Sequence, residues 1–175
     1  MKPYTRQTIY KTYSNPVIHE SHGEIDEEVK YVYALSWNPQ RKLHTIHGLW
    51  PLIPRSTCQL EPTSAPLSSE ETLYNTLTNS GLVEDLTVNW PSTKGHRNSW
   101  LWYHEWSKHG SKMPCHWFFG GKTYRSTPSD YFEMCLKLYQ KFEEDHEDRN
   151  YKQDLELHFD ERFVEVERRK APPLS

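Results

Sequence analysis

Long apolar stretches are missing from this chain of 175 residues. No segment approaches the roughly 20 consecutive apolar residues that a membrane helix needs, so we expect no transmembrane segment and no membrane partner. The first residues, MKPYTRQTIYKTYSN, also lack the apolar core of a signal peptide. We therefore expect either a cytoplasmic protein or a mature form from which a leader has been removed.

Cysteine is scarce, and the chain has no excess of positive charge. Three cysteines, Cys58, Cys115 and Cys135, are too few for a disulfide framework and allow at most one internal bridge. So few cysteines favour a reducing compartment. The net charge of −3 argues against a protein that coats nucleic acid, because phosphate neutralisation supplies most of the affinity of such proteins. A compact site that holds only a few phosphates is compatible with that charge.

Aromatic residues are plentiful, with 7 Trp, 11 Tyr and 6 Phe. At this length they can fill the core of a single domain spanning residues 1–175. Alternating side chains in VKYVYALSW (29–37) predict a strand, and LHTIHGLW (43–50) predicts a second, short strand that enters a turn at Gly48. Residues 155–168 predict a hairpin of two strands.

Three segments have the pattern of helices. One begins near Ser69, and its leucines are expected to face the core. A second, SWLWYHEWSKHG, is expected to end with Gly110 as its C-terminal cap. A third begins at Thr127, followed by Pro128 in the first turn. Residues 51–69 and 111–126 are expected to be loops. This mixture of helices and strands predicts an α+β fold.

The segment YHEWSKHG (103–110) gathers polar residues on one side of the second predicted helix. At 100° per residue, that side carries His104, Glu105, Lys108 and His109. Trp102 and Trp106 fall on the opposite side and are expected to enter the core. Glu105 and His109 are four residues apart, so the carboxylate can hydrogen-bond to the imidazole or bias its charge. The alternative is an ordinary amphipathic helix whose polar face is solvated.

A metal site is the other interpretation of these histidines. His104 and Glu105 begin like the zinc motif H-E-x-x-H, but the next histidine, His109, lies five residues on. That spacing opens the angle to about 140° and spoils chelation from one helix face. No pair of cysteines has metal-binding spacing, and no phosphate-binding loop, G-x-G-x-x-G or G-x-S-x-G is present. We expect no metal and no cofactor.

Two histidines, a lysine and a glutamate suit the cleavage of RNA by its own 2′-hydroxyl. One group must remove the 2′-proton and another must protonate the leaving 5′-oxygen. Histidine suits both tasks because its unperturbed pKa is about 6.5. A cation must stabilise charge on the phosphoryl oxygens, and lysine can do so without a metal. Trp50 could stack on a base, although it could equally pack in the core.

The sequence resembles the ribonuclease T2 family of acid endoribonucleases. HTIHGLWP (44–51) is similar to the first active-site motif of that family, and YHEWSKHG to the second. The resemblance continues in YVYALSW, LVEDLTVNWP, YFEMCLKLYQK and LELHFDERFVEVER. Together these segments cover most of residues 29–168. The resemblance implies a mainly antiparallel central sheet that carries His47, with helices packed on it.

The resemblance also implies an activity. His109 is expected to take the 2′-proton, and His47 to protonate the leaving oxygen. The products are then a 2′,3′-cyclic phosphate, slowly hydrolysed to a 3′-phosphate, and a new 5′-hydroxyl. The remaining roles concern binding and charge, with Glu105 and Lys108 stabilising the phosphoryl intermediate, His104 contacting phosphate and Trp50 holding a base.

The sequence also departs from the family. Ser111 and Lys112 stand where Thr-Cys usually follows His-Gly, and the nearest thiol is Cys115. The family's usual pairing then implies a bridge between Cys58 and Cys115. Only a charged connector near 143–153 joins the long helix to the closing hairpin, where relatives carry more structure. This trimming favours the alternative that the chain is a non-catalytic RNA-binding or partner-binding protein on the same fold.

The partner that the resemblance implies is single-stranded RNA, and we expect the chain to be a monomer. A mature form is expected in a secreted or endolysosomal compartment, whereas a chain that is complete as given is expected in the cytoplasm.

Overall fold

The computed structural model describes residues 29–52, 69–145 and 151–171. Six strands lie in these ranges: β1 (Tyr31–Asn38), β2 (Leu43–Pro51), β3 (His116–Phe119), β4 (Lys122–Arg125), β5 (Leu155–Phe159) and β6 (Glu165–Lys170). Four α-helices accompany them: α1 (Glu70–Asn79), α2 (Val83–Asn89), α3 (Asn98–Lys108) and α4 (Pro128–Glu144). A short 3₁₀ turn spans Gly110–Lys112. The fold is α+β.

The central sheet has four antiparallel strands in the order β2-β1-β5-β6. The predicted first strand and the closing hairpin are confirmed. Tyr33, Leu35 and Leu49 on these strands contribute to a core that includes tryptophans and tyrosines from the helices. The segment 44–51 is therefore part of edge strand β2, paired with β1 and packed against the helices.

Strand β2 continues through Gly48 to Pro51, so the predicted turn at Gly48 is wrong. Ala34 pairs with Gly48 and the next residue, Leu35, pairs with Ile46, which leaves His47 as an extra residue in β2. Such a β-bulge re-aims a side chain. It also allows Ile46 and Leu49, three residues apart, both to be buried, which strict alternation along a strand would oppose.

Helix α4 lies along the open edge of β2. The Tyr131 hydroxyl donates to the Leu49 carbonyl at 2.8 Å and accepts from the Leu49 N–H at 3.3 Å. Eight residues further along the helix, the Tyr139 hydroxyl donates to the His44 carbonyl at 2.5 Å. Edge strands carry unpaired backbone groups, and these two tyrosines satisfy such groups on both sides of His47.

The helix starts are confirmed, as Ser69 accepts from the Thr72 N–H and Thr127 accepts from the Asp130 N–H. The loop predicted for 111–126 is wrong, because β3 and β4 form a separate antiparallel hairpin there. Gly120 and Gly121 join its strands with φ of 58° and 80°. Two consecutive positive φ values suit a tight two-residue hairpin turn, which favours glycine.

No helix in the described ranges has the length and apolar character that crossing a membrane requires.

Candidate active site

Strand β2 supplies His47 and Trp50. The bulge places the His47 side chain at the surface of the sheet with 35% of its area exposed. The rings of His47 and Trp50 meet edge to face, with centroids 5.2 Å apart. Both side chains therefore face the same side of the strand, where helix α3 approaches.

Helix α3 places the buried acid Glu105 beside Trp50. Glu105 is only 3% exposed, so it does not lie on a solvated face as the alternative interpretation of YHEWSKHG required. Its Oε2 accepts a hydrogen bond from Trp50 Nε1 at 3.1 Å. A Cβ atom at Gly48 would collide with both of these atoms. Glycine at position 48 is therefore needed for this close approach.

The Glu105 carboxyl lies between two imidazoles. His47 Nε2 is 3.9 Å from Oε1, and His109 Nε2 is 3.9 Å from Oε2. The Trp50 ring lies beside both histidines, with its centroid 5.2 Å from that of His109. Residues as far as 62 positions apart in the sequence, His47 and His109, thus belong to one compact group of two imidazoles, one carboxyl and one indole.

Burial controls the protonation of this group. It raises the pKa of Glu105 to about 7, which the Trp50 hydrogen bond and the charge of Lys108 only partly oppose. Burial, reinforced by the positive charges of Lys108 and Lys112, lowers the pKa of His109 to about 4. The pKa of His47 is also lowered by burial, while the charge of Asp154 acts in the opposite direction.

These pKa values determine whether the contact between Glu105 and His109 is an ion pair. Between about pH 4 and pH 7 the Glu105 carboxyl is mostly protonated and the His109 imidazole mostly neutral. The Glu105–His109 contact is therefore a close approach of neutral groups in this range, not an ion pair. A neutral imidazole can accept a proton, and a protonated carboxyl can donate a hydrogen bond.

Two other predicted residues lie at the rim of this group. His104 is half-buried on α3 and stacks on Trp100, with centroids 5.2 Å apart and an interplanar angle of 16°. Lys108 is exposed at the last position of α3. Its charge lowers the pKa of both Glu105 and His109. The four polar residues of α3 thus divide into a buried acid, two half-buried histidines and an exposed cation.

A cleft of about 330 Å³ opens beside His47. His104 and Glu105 line it, together with residues that the sequence analysis did not single out: Trp37, Lys94, His96, Trp100 and Asp154. His96 stacks on Trp100 at 4.0 Å, which extends the Trp100–His104 stack. The spacing of four between these three rings is the sequence signal that could have identified them.

Gly110 is not the C-terminal helix cap that was predicted. The helix ends at Lys108, with His109 as the capping residue, and Gly110 begins the 3₁₀ turn. A Cβ atom on Gly110 would lie 2.6 Å from Trp106 Cε3 and 2.8 Å from the Tyr131 ring. The glycine is needed because these rings pack against the backbone directly after His109.

His44, in the same segment as His47, has a packing role. It is buried, contacts the rings of Trp37 and Phe142 edge to face, and places Nε2 2.9 Å from the Gln153 carbonyl. Burial lowers its pKa. Of the two histidines of HTIHGLWP, His47 therefore lies beside Glu105 and His44 packs elsewhere.

The cysteines lie apart from these groups. Cys115 is disulfide-bonded, and Cys135 is a free, buried thiol. Cys58 lies outside the described residues, so its pairing with Cys115 stays a prediction. Across the described ranges, no three His, Cys, Asp or Glu side chains are arranged to hold a metal ion.

Comparison with known proteins shows similarity to one family and to several ribonucleases. The model of the ribonuclease T2 family matches residues 24–150. Ribonuclease DdI of Dictyostelium discoideum is 34% identical over 105 residues, which are 60% of this chain and 40% of that protein. Ribonuclease Rh of Rhizopus niveus is 36% identical over 94 residues, 46% of this chain and 35% of that protein.

A third relative, ribonuclease S-2 of Antirrhinum hispanicum, is 34% identical over 102 residues, 54% of this chain and 35% of that protein. The chain therefore spans well under half of the length of these relatives. No solved structure matches it.

Proposed function

Because the chain belongs to the ribonuclease T2 family, we propose that it is a metal-independent endoribonuclease that cleaves single-stranded RNA by transesterification. One observation carries the proposal: the Glu105 carboxyl lies 3.9 Å from the Nε2 atoms of both His47 and His109. Two imidazoles around one buried carboxyl can flank a single phosphodiester. Such an arrangement supplies the acid, the base and a polar group for the phosphoryl oxygens.

His109 is the general base in this proposal. Its pKa of about 4 keeps the imidazole neutral through most of the acidic range, so that it can remove the proton of a 2′-hydroxyl. The 2′-oxygen attacks phosphorus, and a new P–O bond forms. The bond from phosphorus to the 5′-oxygen breaks, which leaves a 2′,3′-cyclic phosphate on one fragment.

His47 is the general acid, and it protonates the departing 5′-oxygen. Because burial lowers its pKa below the usual value, His47 carries its proton mainly in acidic solution. The neighbouring Asp154 charge partly restores the protonated form. A neutral His109 above about pH 4 and a protonated His47 in acidic solution together favour an acidic pH for the reaction.

Glu105 and Lys108 act on the charge of the phosphoryl group. With a pKa of about 7, Glu105 is protonated at acidic pH and can donate a hydrogen bond to a phosphoryl oxygen. Lys108 supplies a positive charge at the exposed end of α3. Donors and cations that are already positioned stabilise the transition state without reorganisation of solvent.

Trp50 and His104 bind the substrate in this proposal. The Trp50 ring is half-buried beside both catalytic histidines, so a base next to the cleaved bond can stack on it. His104 lines the cleft beside His47, where it can contact a phosphate. Both residues act on binding and orientation more than on bond cleavage.

The experiment incubates the chain and its His47→Ala and His109→Ala variants with labelled single-stranded RNA in excess chelator at pH 5 and pH 7. We expect cleavage by the unaltered chain, faster at pH 5, and loss of cleavage in both variants. Circular dichroism spectra and melting curves establish that the variants are folded. RNA binding without cleavage by the folded, unaltered chain would instead support the non-catalytic alternative. Activity that chelator abolishes would reject the metal-independent mechanism.

A further inference from the structure

Positive charge is concentrated in one part of this acidic chain. Between Trp106 and Ser129 the sequence contains no aspartate or glutamate, although the whole chain has a net charge of −3. The same stretch contains four lysines or arginines and two histidines: Lys108, His109, Lys112, His116, Lys122 and Arg125. It runs along the chain from the C-terminal end of α3 through the β3–β4 hairpin, so the hairpin follows the cations beside His109 in sequence with no acid between them.

The hairpin is firmly attached to the body of the protein. Trp117 and Tyr124, which pair across the strands, are buried and stacked with an interplanar angle of 11°. Trp117 Nε1 hydrogen-bonds to the Met134 sulfur of α4, and Phe119 meets the Phe163 ring edge to face. Side chains on the opposite face of the hairpin are therefore held on a rigid support.

That opposite face, here called the hairpin face, consists of His116, Phe118, Thr123 and Arg125. His116 pairs with Arg125, and Phe118 pairs with Thr123. All four side chains are exposed, and Phe118 is the most exposed of the large apolar residues in the described ranges, at 58%. Phe118 is directly paired with Thr123, and Arg125 is its diagonal neighbour on the same face, at about 7–8 Å, within reach of an aromatic ring and a long side chain.

Two acids of α4 contact the hairpin, and neither forms an ion pair with the Arg125 side chain. Glu133 accepts from Lys122 Nζ at 2.6 Å, and Asp130 Oδ2 accepts from the backbone N–H of Arg125 at 2.7 Å. Within the described part of the chain, the Arg125 guanidinium makes no ion pair. The hairpin face therefore combines one exposed aromatic ring with a guanidinium that forms no ion pair among the described residues.

We propose that the hairpin face, together with Lys112, binds a single-stranded segment of RNA that extends beyond the cleft. This proposal rests on the proposed ribonuclease function for its choice of ligand. Single-stranded nucleic acids bind where aromatic rings stack on bases and positive side chains follow the phosphates. The seven residue-to-residue steps from His109 to His116 span at most about 25 Å, so one RNA chain of several nucleotides can reach both places.

A lone exposed phenylalanine is common and needs no explanation by itself. Here three features coincide: a rigid support, a neighbouring guanidinium and a stretch without acids that starts at the active site. Charge complementarity therefore favours RNA over an apolar protein partner or a second copy of the chain. The added surface would increase affinity for long RNA relative to short RNA, whatever the bases adjacent to the cleaved bond.

The experiment compares Phe118→Ala and Arg125→Gln with the unaltered chain, and uses Tyr74→Ala as a control that removes an exposed aromatic ring from α1. For each, kcat/KM is measured on a 20-nucleotide single-stranded RNA and on a dinucleotide. We expect the ratio of the two values to fall about fivefold or more in Phe118→Ala, as expected for the loss of one base stack, and to be unchanged in Tyr74→Ala.

Salt dependence distinguishes the two contacts. Fluorescence anisotropy with the 20-nucleotide RNA should show a slope of log affinity against log salt that is about 0.7 smaller in magnitude for Arg125→Gln, because one phosphate contact is lost. Phe118→Ala should lower the affinity without changing the slope. An unchanged kcat/KM ratio and unchanged affinity in both variants would overturn the proposal.

Other occupants would give different results. Self-association that disappears in Phe118→Ala, with RNA binding unaffected, would assign the face to a contact between copies and overturn the proposal. Failure of the proposed function is distinguishable, because the unaltered chain would then leave the dinucleotide intact while anisotropy still reports whether Phe118 and Arg125 bind RNA.

Discussion

The hydroxyl of Tyr131 makes hydrogen bonds to both backbone polar groups of Leu49, donating to its carbonyl at 2.8 Å and accepting from its N–H at 3.3 Å. Leu49 lies between His47 and Trp50 on the edge strand. The Tyr131 ring also packs where a Cβ atom of Gly110 would otherwise lie. A single side chain thus holds the strand that carries His47 and the turn that follows His109.

Replacing Tyr131 with phenylalanine removes the hydroxyl and keeps the ring, so it isolates the contribution of the hydroxyl to stability. The buried N–H and carbonyl of Leu49 lose their partner, so we expect the free energy of unfolding to fall by about 1–3 kcal/mol. Urea denaturation measures that change. Tyr74→Phe is the matched control, because it removes a hydroxyl from an exposed ring and should leave stability unchanged. Equal stability of Tyr131→Phe and the unaltered chain would show that the hydrogen bonds to Leu49 contribute little.

Glu105→Gln should change how stability depends on pH. The pKa of Glu105 is raised in the folded state to about 7 from an ordinary value of 4.5, so the folded protein holds this proton more tightly than the unfolded chain. Stability from this group is present below about pH 4.5 and is lost as the pH rises through 7. The loss in the unaltered chain amounts to about 3 kcal/mol, and glutamine cannot show it.

Denaturation of the unaltered chain and Glu105→Gln at pH 4.5 and pH 8 measures this difference. We expect the variant to gain stability relative to the unaltered chain as the pH rises. Parallel changes in the two proteins would mean that Glu105 is ionised at pH 4.5 in the folded state, despite its burial.

The rate should depend on pH in a bell-shaped manner. In the proposed mechanism His109 is the base and must be neutral, so kcat/KM should rise with pH through about 4. As the acid, His47 must be protonated, and its lowered pKa places the falling limb below pH 6.5. Measurement of kcat/KM between pH 3 and pH 8 with a dinucleotide checks both limbs. A flat profile from pH 4 to pH 8 is incompatible with two imidazoles in these roles.

Lys108→Ala should reduce turnover more than affinity. Loss of one group that stabilises developing charge typically costs 10²–10³ in kcat, by analogy with oxyanion-hole donors. Binding of the ground-state RNA should change much less. Lys108→Arg keeps the charge and is expected to retain part of the turnover. Equal losses in kcat and in RNA affinity of Lys108→Ala would assign the lysine to ground-state binding.

Regular elements were predictable because their signals are local. Alternation in residues 29–37 identified β1, and Thr127 followed by Pro128 marked the start of α4. The bulge at His47 was not predictable in this way. It depends on which residues of β1 pair with Ile46 and Gly48, and the glycine alone was mistaken for a turn.

The β3–β4 hairpin had a signal that the sequence analysis did not use. Gly120 and Gly121 stand between short segments that alternate between buried and exposed, as expected for strands joined by a tight turn. Each strand has only four residues, and such short alternation is easily taken for loop. Alternation with paired glycines between the two segments is the better criterion.

The sequence predicted which of these residues come together more completely than how they are arranged. Spacing on α3 correctly brought Glu105 close to His109, but it could not show that Glu105 is buried. That burial depends on Gly48 and Trp50, which come from another element. The raised pKa of Glu105 is therefore a property of tertiary packing, and no pattern within α3 contains it.

Identification of the product ends tests the central claim most directly. A defined single-stranded RNA is digested in chelator at pH 5 and sampled at early times. The masses of the fragments are then measured by mass spectrometry. The account predicts fragments that end in a 2′,3′-cyclic phosphate and begin with a 5′-hydroxyl, and none when the 2′-hydroxyl at the cleavage site is replaced by hydrogen. Fragments with a 5′-phosphate and a 3′-hydroxyl would contradict it, because those ends require attack by water and not by the 2′-oxygen.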